Sequence, residues 1–163
     1  KILENNPIQF LMLANGMGLG GAQKLNEELK PKNFKLISDF LPDSELLSTM
    51  HKCHMSLGQL SNHERLERTI PHKAYESLAL KLPYLTARNS GVMELLKEGD
   101  TCLAFTPGDE KDLADRILWA FEHQEKLKKI AENGYALFQN TLTSKKLGEK
   151  LLQQTLDFLG EKA

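Results

Sequence analysis

The chain has 163 residues, 40% apolar and 26% charged, an ordinary composition for a globular protein long enough to bury a core. Its 21 Lys and Arg set against 22 Asp and Glu leave a net charge of −1, which supplies no bulk attraction to nucleic acid or anionic lipid. No apolar run approaches the roughly 20 residues of a membrane span, no signal-peptide pattern opens the chain, and the length predicts a single domain over 1–163.

Strands and helices alternate along the chain. Ile8 to Ala14, bounded by Pro7 and by Asn15-Gly16, reads as a buried strand. A Gly-rich turn leads into a short helix ending near Lys30-Pro31. Phe34 to Ser38 is the second strand. Pro42-Asp43-Ser44 opens a helix to about Lys52, with Asp43 or Ser44 as N-cap and Glu45 in the favourable first turn. His54 to Gly58 is a weaker third strand, and the polar stretch Gln59 to Thr69 reads as a loop. A helix from Pro71 and a strand over 83–87 follow. Gly91 to Glu98 reads as a helix stopped by Gly99, and Thr101 to Phe105 as the fifth strand.

Three helices are expected from Glu110 on. Leu113, Ile117, Leu118 and Phe121 share one face of the first. Leu127, Ile130, Ala131, Ala136 and Leu137 share a face of the second, with a break at Asn133-Gly134. Leu147, Leu151, Leu152, Leu156 and Leu159 make the last amphipathic. This alternation predicts a parallel α/β sheet with helices on both faces, and such sheets bind ligands beyond the carboxyl ends of their strands. Cys53 and Cys102 have no partner at metal-ligand spacing and read as buried, inert thiols of a reducing compartment. His51 and His54 beside Cys53 read as a helix-to-strand junction rather than a metal site.

The densest chemistry lies at Arg68-Thr69-Ile70-Pro71-His72-Lys73, followed by Glu76. Pro71 suits a first helical turn, where its missing N–H is no loss. Lys73 sits where the helix dipole prefers an anion, a conflict that a phosphate held by the free N–H groups would resolve. Glu76, one turn on, can accept hydrogen bonds from sugar hydroxyls, so the pair together describes a nucleotide. The plainer alternative is a solvated Lys73–Glu76 pair at i, i+3, worth a few tenths of a kcal/mol.

The run from Pro71 through Lys73, Glu76 and Ala79 to Pro83-Tyr84-Leu85-Thr86 resembles the donor-site helix and following strand of group 1 (family 4) glycosyltransferases of the GT-B fold. The likeness continues through Gly91-Val-Met-Glu-Leu-Leu-Lys-Glu-Gly99, Pro107-Gly108-Asp109 and Leu113-Ala114. It is close over about residues 34–121 and looser at the flanks. It implies the Rossmann-like, C-terminal donor-binding domain of an enzyme that moves a sugar from a nucleoside diphosphate sugar, with retention and without a metal or other cofactor. It implies a cytoplasmic place, at the membrane face in the longer protein, and a role in polysaccharide synthesis. In that frame Pro71, His72 and Lys73 hold the diphosphate, Glu76 the ribose, Arg68 and Thr69 reach a phosphate or the sugar, and backbone near Ser38–Phe40 meets the base.

Three features depart from the family pattern, the first being His72 where Asn is commoner. Many members carry a glutamate eight residues before the one matched by Glu76, and here that position is Arg68. Leu80-Lys81 replaces the usual pair ending in Gly, so the helix lacks an easy left-handed cap. The family's first strand, central in its sheet, and its acceptor domain have no counterpart here. The chain therefore reads as an excerpt that meets a sugar or lipid-linked acceptor through a missing N-terminal domain, inactive alone. A non-catalytic binding or scaffolding module with the same fold stays open, supported by Arg68. So does a dinucleotide (NAD or FAD) fragment, because Gly16-Met-Gly18-Leu-Gly20-Gly21 follows a strand, with Asp39 after the next. In the family reading Asn15-Gly16 instead matches a Gly-Asn/Asp-Gly turn at the donor site.

Overall fold

The computed structural model describes residues 1–160. The chain divides into two compact units, Lys1–Met50 and the part from His51 onward.

The first unit is built on β1 (Phe10–Leu13), α1 (Leu19–Leu29) and β2 (Phe34–Ile37), followed by α2 (Asp43–His51). The strands pair in parallel, Phe10 opposite Phe34 and Leu13 opposite Ile37. Asn33 is buried, and its amide nitrogen donates to the carbonyls of Leu3 and Ile8, tying the opening turn to the start of β2. Only Leu3 and Asn33 are buried in this unit among the described residues. Leu11, Met12 and Leu13 are exposed, so β1 is a strand as expected but not a buried one. Parallel strands gain their burial from neighbours on both sides and cover on both faces, and β1 has one paired neighbour. Pro42, not Asp43 or Ser44, accepts the first helical bonds of α2, from the N–H groups of Glu45 and Leu46. Gly16 has a left-handed φ of +84°. Gly20 and Gly21 lie inside α1 rather than in a turn.

The second unit holds β3 (Ser56–Leu57), β4 (Tyr84–Ala87) and β5 (Leu103–Phe105), all parallel, with β4 central. The five strands expected as one sheet are thus paired as two sheets. Every residue of β4 is buried, the pattern of a strand covered on both faces. Ala74 and Leu78 of α3 (His72–Ala79) pack with Tyr84, Val92, Leu96 and Cys102 to form the core. Burial pushes the Cys102 thiol up to about 12, assisted by the nearby Glu98 carboxylate. Burial likewise raises the Tyr84 phenol to about 12.

Several elements differ from their sequence reading for identifiable reasons. The loop 59–69 contains a 3₁₀ turn, Glu64–Arg68, whose N-cap His63 accepts from the Arg65 N–H through Nδ1. The helix expected from Gly91 to Glu98 is one turn, α4 (Ser90–Met93). It ends because the Lys97 backbone engages Thr101 and Cys102 instead. Lys81 itself adopts the left-handed conformation, φ 54°. Its N–H bonds to Leu78 and that of Leu82 to Ser77, the double closure that ends a helix in a Schellman motif.

The C-terminal helices are α5 (Glu110–Glu122), α6 (Gln124–Leu137) and α7 (Ser144–Leu159), with a π turn, Phe138–Leu142, before the last. Helix α5 buries Ala114, Ile117 and Ala120, while Phe121 is exposed, so its inner face is rotated from the expected one toward the small residues. Helix α6 runs unbroken through Asn133-Gly134. A Cβ on Gly134 would lie 2.6 Å from Leu78 Cδ2 and 3.1 Å from the Thr101 carbonyl oxygen, so this glycine serves close packing rather than a break. Helix α7 is amphipathic but buries none of its residues.

Asp109 caps α5, its Oδ1 accepting from the N–H groups of Lys111 and Asp112 at 3.0 and 2.9 Å. Asp109→Ala should cost about 1 kcal/mol and lower the melting temperature by about 2–4 °C. Asp109→Asn should retain most of that stability, and thermal melts of both variants check it.

Candidate functional site

The N-terminus of α3 is assembled by the elements around it. Pro71 occupies the N-cap position, φ −74° and ψ 145°, one residue earlier than a first-turn proline. Its carbonyl accepts from the Ala74 N–H at 2.9 Å. No side chain caps the helix. Among the described residues no acceptor meets the N–H groups of His72 and Lys73, which is the state of a helix end open to a ligand.

The approach to this end is held in place. Thr69 Oγ1 donates to the Arg65 carbonyl at 2.7 Å. One oxygen of the Glu67 carboxylate accepts from both the Ser90 N–H, at 2.8 Å, and the Ser90 hydroxyl, at 2.7 Å. Those two bonds, the backbone one first, hold the Glu67 carboxyl below the usual carboxylate range. Gly91 abuts the same loop, and a Cβ there would stand 2.6 Å from the Thr69 nitrogen. Ser90 and Gly91 follow β4, so these contacts set the tip of α3 at the carboxyl end of the sheet. Behind the tip, Ser77 Oγ donates to the Lys73 carbonyl at 2.6 Å and lies 2.8 Å from Ser56 Oγ, linking α3 to β3.

The second unit therefore brings Arg68, Thr69, Pro71, His72, Lys73 and Glu76 into one stretch of surface. Pro71 is buried and Thr69 half-buried, while Arg68, His72, Lys73 and Glu76 are exposed. The His72 and Tyr75 rings are tilted, with centroids 6.5 Å apart. Neither Lys73 nor Glu76 forms an ion pair among the described residues, and Arg68 makes a long, exposed one with Glu64 at 3.5 Å. The simple Lys73–Glu76 surface pair is thus not made. Gly16 belongs to the first unit, exposed at the carboxyl end of β1.

Sequence reasoning missed Glu67, Asn89, Ser90 and Gly91. Asn89 is fully buried, with neither amide atom hydrogen-bonded among the described residues. Ser90 lies 23 residues from Glu67, a separation at which no local pattern pairs two polar residues. The only available signal was Gly91, which stands within the family-like run.

A cavity of about 420 Å³ lies elsewhere, at the amino end of β5, lined by Glu98, Leu103, Arg116, Trp119, Lys126 and Asn133. Of its lining charges, Glu98 is bound by Arg88 through two bonds of 2.7 and 2.8 Å, Arg116 pairs with Asp112 at 3.2 Å, and Lys126 lies 6.0 Å from the centre of the Trp119 ring. No group of three or more potential metal ligands occurs among the described residues. No described helix is long and apolar enough to cross a membrane.

A family model described as glycosyl transferases group 1 matches residues 2–137. The fold is similar to that of a sucrose-phosphate synthase from Thermosynechococcus elongatus, with a TM-score of 0.77 and 15% identity over 97% of this chain and 40% of that one. It is similar to the C-terminal domain of the group 1 family protein LpcC from Francisella tularensis (TM-score 0.68, 17% identity, 84% of this chain and 71% of that one). It is also similar to Anabaena Alr3699/HepE, solved in complex with UDP-glucose (TM-score 0.68, 20% identity, 82% of this chain and 37% of that one). The chain spans well under half of the synthase and of the Anabaena protein. No curated protein matches it in sequence.

Proposed function

The chain belongs to the group 1 glycosyl transferases, and from that premise we propose that it is the donor-binding half of an enzyme that transfers a sugar from a nucleoside diphosphate sugar. The observation that carries this reading is the uncapped tip of α3, with a Lys73 ammonium that pairs with no carboxylate among the described residues and with Glu76 one turn further on. As the glycosidic bond breaks, negative charge gathers on the departing diphosphate, and fixed N–H dipoles and a cation stabilise it best. The N–H groups of His72 and Lys73 with the Lys73 ammonium take that role. Glu76 accepts the ribose hydroxyls, and Arg68 and Thr69 contact phosphate or sugar. The family match runs through Gly16, which counts against the dinucleotide alternative.

Retention, independence from a metal, a role in polysaccharide synthesis and a site on the cytoplasmic side belong to the same proposal and rest on family membership. So does an acceptor, sugar or lipid-linked, presented by a further domain. Supporting that last point, Leu147, Leu151, Leu152, Phe158 and Leu159 of α7 are all exposed. A second reading, a binding module without chemistry, is favoured by Arg68 at the position of the family's first glutamate. Transfer by the intact enzyme would exclude it.

Lys73→Ala tests the cradle. Lys73 is unfavourable to its own helix end, so its loss should leave the melting temperature of the ligand-free protein unchanged or slightly higher. With uridine or guanosine diphosphate present, the variant should bind more weakly, and the difference should be largest at low salt, where screening is least. A stability loss with unchanged nucleotide affinity would make Lys73 an ordinary structural lysine.

A further inference from the structure

We propose that Glu67 is a positioning residue that sets the geometry of the α3 tip through Ser90 and Gly91. The proposal rests on the donor-cradle reading above. Its starting point is an odd division of labour at the start of α4. Asn89 occupies the N-cap position of that helix, and asparagine is among the best capping residues because its side-chain oxygen accepts from the first turn. Yet the Asn89 side chain makes no cap bond, and both of its amide atoms are buried without a partner among the described residues. The Ser90 N–H, the first of the helix, is met by Glu67, from the 3₁₀ turn 23 residues upstream.

A local cap would have satisfied the helix and left the two segments independent. A cap from Glu67 ties α4 to the loop that delivers Arg68, Thr69 and Pro71 to the tip of α3. The tie is made twice. The same carboxylate oxygen also accepts the Ser90 hydroxyl, and Gly91 leaves room for the Thr69 backbone to lie against α4 where a methyl group would not fit. Thr69 in turn holds the 3₁₀ turn through its bond to Arg65. The loop 67–71 is therefore clamped between two elements that follow different strands, with the open N–H groups of His72 and Lys73 directly after it. Glu67 itself is occupied by Ser90. Its effect on a diphosphate is exerted through the direction in which those N–H groups point, and misplacement of such groups by about 1 Å can cost a catalytic site about a hundredfold in rate.

The test is the affinity of the protein for uridine and guanosine diphosphates, measured with the melting temperature on wild type, Glu67→Ala, Glu67→Gln, Gly91→Ala and Lys73→Ala. Glu67→Ala should weaken nucleotide binding by about tenfold. Glu67→Gln should recover most of that loss, because an amide oxygen still accepts from Ser90. Gly91→Ala leaves the carboxylate untouched but pushes on Thr69, and should weaken binding in the same direction. If Glu67→Ala lowers only the melting temperature, with nucleotide affinity at the wild-type level while Lys73→Ala binds weakly, Glu67 is a structural cap and the proposal is wrong. If wild type binds neither nucleotide, the donor-cradle reading falls and takes this proposal with it. Should Glu67→Ala not fold, the Gln and Gly91 variants decide: weak binding by Gly91→Ala with near-normal binding by Glu67→Gln supports positioning, and normal binding by both overturns it.

Discussion

Replacing Glu76 with alanine should lower sugar transfer by the intact enzyme by about tenfold or more while leaving it folded. The magnitude follows from the lost bonds. A carboxylate accepting hydroxyl hydrogen bonds contributes about 1.5–3 kcal/mol, and about 1.4 kcal/mol is a factor of ten in rate. The stability half follows from the surroundings. Glu76 is exposed on α3 and has no ion-pair partner among the described residues, and alanine is a better helix former. Steady-state kinetics at several donor concentrations, with a thermal melt of each protein, checks both halves. Wild-type turnover in the variant would remove Glu76 from the donor site, and a large fall in melting temperature would make it a structural residue instead.

Gly134→Ala should destabilise the second unit by about 1–2 kcal/mol, although the same change in an open helix stabilises by about 1 kcal/mol. The sign is decided by space. The new methyl group would stand 2.6 Å from Leu78 Cδ2 and 3.1 Å from a backbone carbonyl. Leu78 is already enclosed by Ala74 and Tyr84 in the core, and overpacking of this kind costs about 1–3 kcal/mol. Gly148 in α7 supplies the internal control, because nothing lies within 4 Å of its would-be Cβ. Gly148→Ala should raise the melting temperature and Gly134→Ala should lower it. Equal and positive shifts would mean that α6 does not press on α3 as described.

Gly134 also shows where the sequence could and could not be read. Asn133-Gly134 looks like a helix break because glycine is a poor helix former, and the reason for tolerating it, a side chain of α3 some fifty residues earlier, is not local. The same limit hid Glu67 and Ser90. Strand β4 was legible because four consecutive apolar or β-branched residues after a proline suit a central parallel strand and little else. Strand β1 was equally legible as a strand, but its burial depends on neighbours that apolarity alone does not supply. Lys81 was read as a missing cap, whereas the closing bonds to Leu78 and Ser77 hold a lysine in the left-handed state. At α3 the proline and the basic residues after it located the start of the helix, and Pro71 fell one position from where its ring chemistry alone would put it.

Cys102 turns the core into its own clock. The side chain is fully enclosed at the head of β5, and its thiol is held un-ionised far above neutral pH. An alkylating reagent needs both access and thiolate, and the closed protein offers neither. With Cys53 replaced, modification then proceeds only through transient opening of the second unit, at a rate equal to the opening equilibrium multiplied by the reactivity of a free thiol. The labelling half-life in native buffer thus reads the free energy of that opening without denaturant, and a nucleotide that binds the closed second unit should lengthen it by a factor of one plus the ratio of its free concentration to Kd.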